Sequence, residues 1–221
     1  PQLVRSSDSL ARAVTGASQL IVIDKVLDPR TCRGLIDEAD VERWLTSTAE
    51  ITRVANGPHT CPPRRVNEPE RPCRLLGSHD DSQERPRFAI LDAPRLALRL
   101  FYRLVNQLPF VREGAELAGL KPLLRCLEYR RGEGTDEHAD PIRETPDGQR
   151  SQLSVLVFLN DRFTGGALEF PELGRRVEAR AGRAVLFPHG LVHRDCVVER
   201  GRKFVLEAEV FYSPDWQAFP G

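Results

Sequence analysis

The sequence predicts a mainly β (α+β) domain, a β-sandwich or barrel with helices packed on one side. Three observations carry this. Short β-branched and aromatic segments crowd the second half and are separated by Gly, Pro or Asp turns. One strongly amphipathic helix precedes them at 92–109. No internal repeat points to a solenoid.

In chain order, QLIVID (19–24) reads as a buried strand. DPRTCRGLIDEAD (28–40) reads as a helix, with Asp28 as N-cap and Pro29 at the first helical position. Residues 55–87 are rich in Pro, Arg and His and show little periodicity, so a long irregular segment is expected there, closing over a site as a lid. In DAPRLALRLFYRLVNQLP (92–109), Leu96, Leu100, Leu104 and Leu108 fall on one stripe. The later strands are LLRCLEY (123–129), QLSVLVFLN (152–160), GALEF (166–170), RRVEA (175–179), AVLF (184–187) and KFVLEAEVFY (203–212). The texture changes near residue 122. A single domain of 1–221 is expected, with 1–121 as helical and strand support plus lid, and 122–213 as the β core.

Composition narrows the function classes. Lys plus Arg and Asp plus Glu are 32 each, so the chain has no bulk positive charge for nucleic acid. No apolar stretch approaches the ~18 residues of a membrane helix, and the N-terminal stretch lacks the apolar core of a signal peptide. The five cysteines are odd in number and form no CxxC, so reduced thiols in a cytoplasmic protein are expected rather than a disulfide framework or zinc knuckle. Oligomeric state is not legible.

The stretch GEGTDEHADP (132–141) sets His138 and Asp140 one residue apart. On extended backbone, residues i and i+2 point the same way. An imidazole and a carboxylate on one side make two ligands of the facial triad of non-haem Fe(II) oxygenases. A third must come from a distant strand, and His189 and His193 both qualify by type. After them, Lys203 opens the last strand ten residues beyond His193.

These pieces together resemble the 2-oxoglutarate- and Fe(II)-dependent dioxygenases of the prolyl 4-hydroxylase type. The pieces are, in order, YRRGEGTDEHAD, SVLVFLND, FTGGALEF, AGRAVLF, and His193 leading to GRKFVLEAEVFY. The resemblance runs over roughly 91–213 and is loose before residue 90. It implies a double-stranded β-helix of jelly-roll or cupin-like form, with iron held by His138, Asp140 and His193. It implies that Lys203 pairs with the distal carboxylate of 2-oxoglutarate, with Arg202 as the fallback cation, and that Tyr129 supplies a cosubstrate-pocket hydroxyl. Where the family often has tyrosine, Phe158 cannot donate, and Ser154, four residues earlier on the same face, is the candidate replacement. By this pattern His193, not His189, is the third ligand. The implied cofactors are Fe(II), 2-oxoglutarate as cosubstrate and O₂, with ascorbate as an accessory reductant. The implied reaction is oxidative decarboxylation of 2-oxoglutarate coupled to hydroxylation or a related C–H oxidation, and the carboxylate of Asp140 favours this over halogenation.

On the last strand Lys203, Val205, Glu207 and Glu209 share one face, and Phe204, Leu206, Ala208 and Val210 the other. Glu207 stands where relatives often carry a cation, so a cationic substrate group is expected there, with pairing to a local arginine as the plain alternative. Arg64, Arg65, Arg143 and Arg150 are candidates to hold a substrate carboxylate. The leading reading is a biosynthetic hydroxylase of a small amino-acid-like or natural-product substrate. The alternatives are a protein hydroxylase of the prolyl type, a cupin-like metalloenzyme without 2-oxoglutarate and, from another class, a non-catalytic β-helix binding module.

Overall fold

The computed structural model describes residues 20–41 and 87–214. The expected lid at 55–87, and with it Arg64 and Arg65, lies outside them except for Arg87, which opens a strand.

The chain begins with β1 (Ile21–Ile23) and helix α1 (Pro29–Val41), then β2 (Arg87–Asp92) and helix α2 (Pro94–Leu104). A hairpin of β3 (Val111–Arg112) and β4 (Ala115–Leu120) leads to β5 (Leu123–Tyr129) and β6 (Arg150–Phe158). Short strands follow: β7 (Thr164–Gly165), β8 (Leu168–Phe170) and β9 (Arg175–Val177). The chain closes with β10 (Ala184–Pro188), β11 (Arg194–Asp195), β12 (Val198–Arg200) and the long β13 (Lys203–Pro214).

Helix α1 starts where its cap predicts. The Asp28 carboxylate accepts from the Thr31 backbone N–H at 2.9 Å, satisfying a donor that the first turn leaves free. Those bonds hold Asp28 down at about 2. Helix α2 starts at Pro94 and stops at Leu104, shorter than 92–109, because Asp92 belongs to β2 and Val105–Gln107 tighten into a 3₁₀ turn. Its inward stripe is Ala97, Leu100 and Leu104, the two leucines without exposed surface. Burying each such leucine contributes roughly 1.5–3 kcal/mol.

Eight strands form one sheet. Its path runs β1–β10–β6–β13, and the far edge of β13 pairs first with β5 and then with β4, with β2 outside β5. A three-stranded sheet, β11–β8–β9, and the pair β12–β7 face it. This is the double-stranded β-helix expected, with α1 and α2 against its outer side. The large sheet separates two apolar cores. The outer one joins Phe204, Leu206, Ala208 and Val210 of β13 to the helices. The inner one joins Val205, Tyr129 and Phe158 to Phe170, Phe187 and Leu168 between the sheets. The period-2 division of β13 is therefore the division between the two cores.

β2, β3, β4, β7, β11 and β12 are strands that the sequence reading did not place. AELAGL in β4 is alanine- and glycine-rich, and pairing with β13 rather than intrinsic propensity makes it a strand. β11 and β12 are too short for any periodicity to show.

Candidate metal centre

The loop after β5 and the segment before β11 meet through a single antiparallel bridge, and the bridged residues are His138 and His193 themselves. His138 N–H donates to the His193 carbonyl at 3.0 Å, and His193 N–H returns the bond at 2.9 Å. Two residues 55 positions apart are thus locked side by side by backbone, with ring centroids 4.4 Å apart.

Asp140 completes the group, and one ligand atom from each of the three lies within 4.8 Å of the others. The Nε2 atoms of His138 and His193 each stand 3.9 Å from an Asp140 carboxylate oxygen. Both Nδ1 atoms face backbone carbonyls, of Asp136 at 2.8 Å and Leu191 at 3.0 Å. A carbonyl only accepts, so Nδ1 carries the proton and each Nε2 presents its lone pair to the centre. Burial pushes His193 down, against the attraction of Asp140, and so favours the neutral ligand form. Burial would raise the Asp140 carboxyl, but the neighbouring His189, His193 and Ser154 outweigh it and hold it well below the usual carboxylate range. Two neutral imidazoles and one carboxylate, converging from one side, are a donor set that fits Fe(II).

Ser154 and His189 hold that carboxylate. The Ser154 hydroxyl donates to Asp140 Oδ2 and lies 2.8 Å from Nδ1 of His189. Since the single hydroxyl proton goes to Asp140, His189 Nδ1–H donates to Ser154. Ser154 thus meets the Asp140 carboxylate, with His189 behind it.

The residues expected to meet the cosubstrate, Lys203 and Tyr129, come together a short way off. Lys203 has no exposed surface, and its ammonium lies 4.9 Å from the Tyr129 ring centroid and 5.4 Å from that of Phe158. Phe158 therefore takes part as a cation–π wall, which requires no hydroxyl. Lys203 Nζ donates to Asp195 Oδ1, and the Tyr129 hydroxyl donates to Asp195 Oδ2 at 2.8 Å. Lys203 and Tyr129 thus converge on one carboxylate, which is the chemistry a keto diacid's distal end requires. Arg202 points elsewhere, to Glu128 and over Phe204. Gly166 (φ +63°) in the FTGGALEF turn lets the chain pass this lysine, since a Cβ there would sit 2.9 Å from the Phe163 ring and 3.2 Å from Lys203 Cδ.

On the other side, Glu207 pairs across strands with Arg125, 3.0 Å apart, and Arg143 with Glu209 at 2.9 Å. The local-arginine alternative for Glu207 is what the structure shows. Desolvation lifts Glu207 to about 7, with Arg125 opposing. Arg125, Glu207 and Glu209 line the cavity at the triad; Arg143 reaches it only through Glu209, and Arg150 lies 3.9 Å from the exposed Glu144.

Asp195, Arg125 and Glu209 were missed as site residues in the sequence reading. A signal for Asp195 was present, for His193-Arg194-Asp195 repeats the His-x-Asp spacing of His138-Ala139-Asp140.

Fold and triad together fit a non-haem iron oxygenase. Residues 124–208, which span the triad, Tyr129, Lys203 and Glu207, match the family model of the 2OG-Fe(II) oxygenase superfamily. The protein is a 2-oxoglutarate-dependent dioxygenase. Among solved structures it is similar to the viral collagen prolyl hydroxylase of Paramecium Bursaria Chlorella virus-1 in its 2-oxoglutarate complex, at 13% identity and TM-score 0.59 over 87% of this chain and 95% of that one. It is also similar to a Pseudomonas putida prolyl-4-hydroxylase, at 18% identity and TM-score 0.52 over 87% and 92%. A third is the Trichoplax adhaerens prolyl hydroxylase in complex with a hypoxia inducible factor peptide fragment, at 13% and 0.51 over 87% and 83%. At these identities the likeness is one of fold. No curated protein matches the sequence. No helix among the described residues is long and apolar enough to cross a membrane.

Fe(II), 2-oxoglutarate and O₂ are its cofactor set, and when bound they supply oxidative decarboxylation coupled to C–H hydroxylation. The chain's own part is to present two lone pairs and a carboxylate, to keep that carboxylate ionised, and to shield the site between two sheets.

Proposed function

We propose that the substrate hydroxylated is a small amino-acid-like molecule carrying both a cationic group and a carboxylate. The observation that supports this is the alternating row Glu207, Arg125, Glu209, Arg143 beside the triad. Each charge in it already has an opposite partner, so a zwitterion can exchange with the row without leaving a buried charge unpaired. The cationic group meets Glu207 and Glu209, and the carboxylate meets Arg125 and Arg143.

The second reading is a peptidyl prolyl hydroxylase, favoured by the three similar folds, all prolyl hydroxylases. Aerobic turnover with Fe(II) and 2-oxoglutarate separates the two. Free amino acids and proline-containing peptides are offered in parallel, and succinate and the gain of one oxygen atom are followed. Succinate coupled to oxidation of a free amino acid is expected, with Glu207→Gln raising KM for that substrate and leaving 2-oxoglutarate affinity unchanged. Coupled turnover with peptides alone would replace this reading with the second.

A further inference from the structure

We propose that Asp195 is an internal carboxylate seated in the subsite for the cosubstrate's distal carboxylate, so that 2-oxoglutarate binds by displacing it. This rests on the reading that Lys203 receives that carboxylate.

Four features carry it. First, both oxygens of Asp195 are used, one by Lys203 and one by the Tyr129 hydroxyl. These are the two residues that the cosubstrate's far end would need. Second, the Lys203 ammonium is flanked by the aromatic walls of Tyr129 and Phe158 as well as by Asp195. The subsite is therefore shaped for a carboxylate whether Asp195 or another molecule supplies it. A buried ammonium without a counter-ion is strongly unfavourable, so some carboxylate must always be there.

Third, Asp195 lines the cavity at the triad, and Lys203 and Tyr129 do not. The cavity at the triad is small, about 20 Å³. Asp195 thus stands between the cavity at the triad and Lys203.

Fourth, only the side chain is free to leave. Asp195 N–H donates to Thr135 Oγ1 at 2.8 Å, and Thr135 N–H donates to the Asp195 carbonyl at 2.9 Å. Gly134 presses on the same carbonyl so closely that a Cβ there would lie 2.7 Å away. The strand stays, and the carboxylate swings about its Cα–Cβ bond. An incoming 2-oxoglutarate therefore exchanges one carboxylate for another at Lys203. The gain from that ion pair largely cancels, and the lysine confers little preference for a diacid over a keto acid with one carboxylate.

The test is an anaerobic titration of the Fe(II)-loaded protein, following the visible charge-transfer band of the bound keto acid. 2-Oxoglutarate is compared with 2-oxobutyrate, which lacks the distal carboxylate. Wild type is expected to bind the two within about threefold of each other. Asp195→Ala is expected to tighten 2-oxoglutarate about tenfold, leave 2-oxobutyrate unchanged, and lose the gain when Lys203→Met is added. Asp195→Asn keeps the shape and a partner for Tyr129, and guards against a folding failure of the alanine form. 2-Oxoglutarate should raise its Tm by more than that of wild type. Equal or weaker 2-oxoglutarate binding in both variants, with the band still formed, would make Asp195 a fixed structural counter-ion and overturn the inference. No band in any form despite bound iron would remove the keto-acid reading itself, and this inference with it.

Discussion

Two stretches of this chain share the His-x-Asp spacing, His138-Ala139-Asp140 and His193-Arg194-Asp195, and are joined by a backbone bridge at their histidines. The histidines do the same job, and the aspartates do not. In an antiparallel pair the chains diverge from the bridge, so the carboxylates lie toward opposite ends of the site. Both line the cavity, but Asp140 is bonded by the Ser154 hydroxyl and Asp195 by the buried Lys203 ammonium. A carboxylate surrounded by hydroxyl and imidazole keeps lone pairs for a metal, whereas one matched to a buried cation is consumed by it. His-x-Asp names neither role by itself, and the partner across the sheet decides.

The largest break in the comparison is loss of metal. Asp140→Ala should abolish Fe(II) binding, read by equilibrium dialysis, whereas Asp195→Ala should leave the iron stoichiometry intact. Stability should divide the other way. Lys203→Met strands the Asp195 carboxylate in a dry site, which costs roughly 3–5 kcal/mol when one partner of a buried pair is removed. Asp140→Ala removes a carboxylate next to open cavity, and its urea midpoint without metal should shift far less. If the two variants lost stability equally, the distinction between a metal carboxylate and a counter-ion would fail.

Ser154→Ala probes what sets Asp140 apart. The hydroxyl aims one carboxylate oxygen, and losing such an outer partner weakens metal affinity by about 10–100-fold. Competition with a chelator would read it. Unchanged affinity would mean that His189 and the backbone alone hold Asp140.

Much of this was legible from pattern. Strands β5, β6, β10 and β13 were long enough to show their alternation, and the two faces of β13 divide as their period demands. His138, Asp140 and His193 were legible because family spacing supplied what distance along the chain hides. Three things were not. β4 is a strand through its neighbour and not its composition. The Ser154–Asp140 bond spans 14 residues and the Tyr129–Asp195 bond 66, so no local window contains either. Glu207 is in register with Arg125, which only strand pairing reveals.

The smallest expected effect is a change of slope. Burial lifts Glu207 from 4.5 to about 7, while Arg125 pulls it back only in part. Between those two values the folded protein holds a proton that the unfolded chain has released. Folding stability therefore falls as pH rises through that window, because the native state binds more protons there. Asp140 contributes nothing to this slope: its carboxyl lies below the ordinary 3.8 when folded, so its contribution is complete above that value and is lost only at lower pH. Urea midpoints of the metal-free protein from pH 4.5 to 7 should fall in wild type and run flatter in Glu207→Gln. Parallel profiles would mean that Arg125 neutralises Glu207 outright, and that the acidic end of the charge row is a fixed ion pair, closed to a cationic substrate.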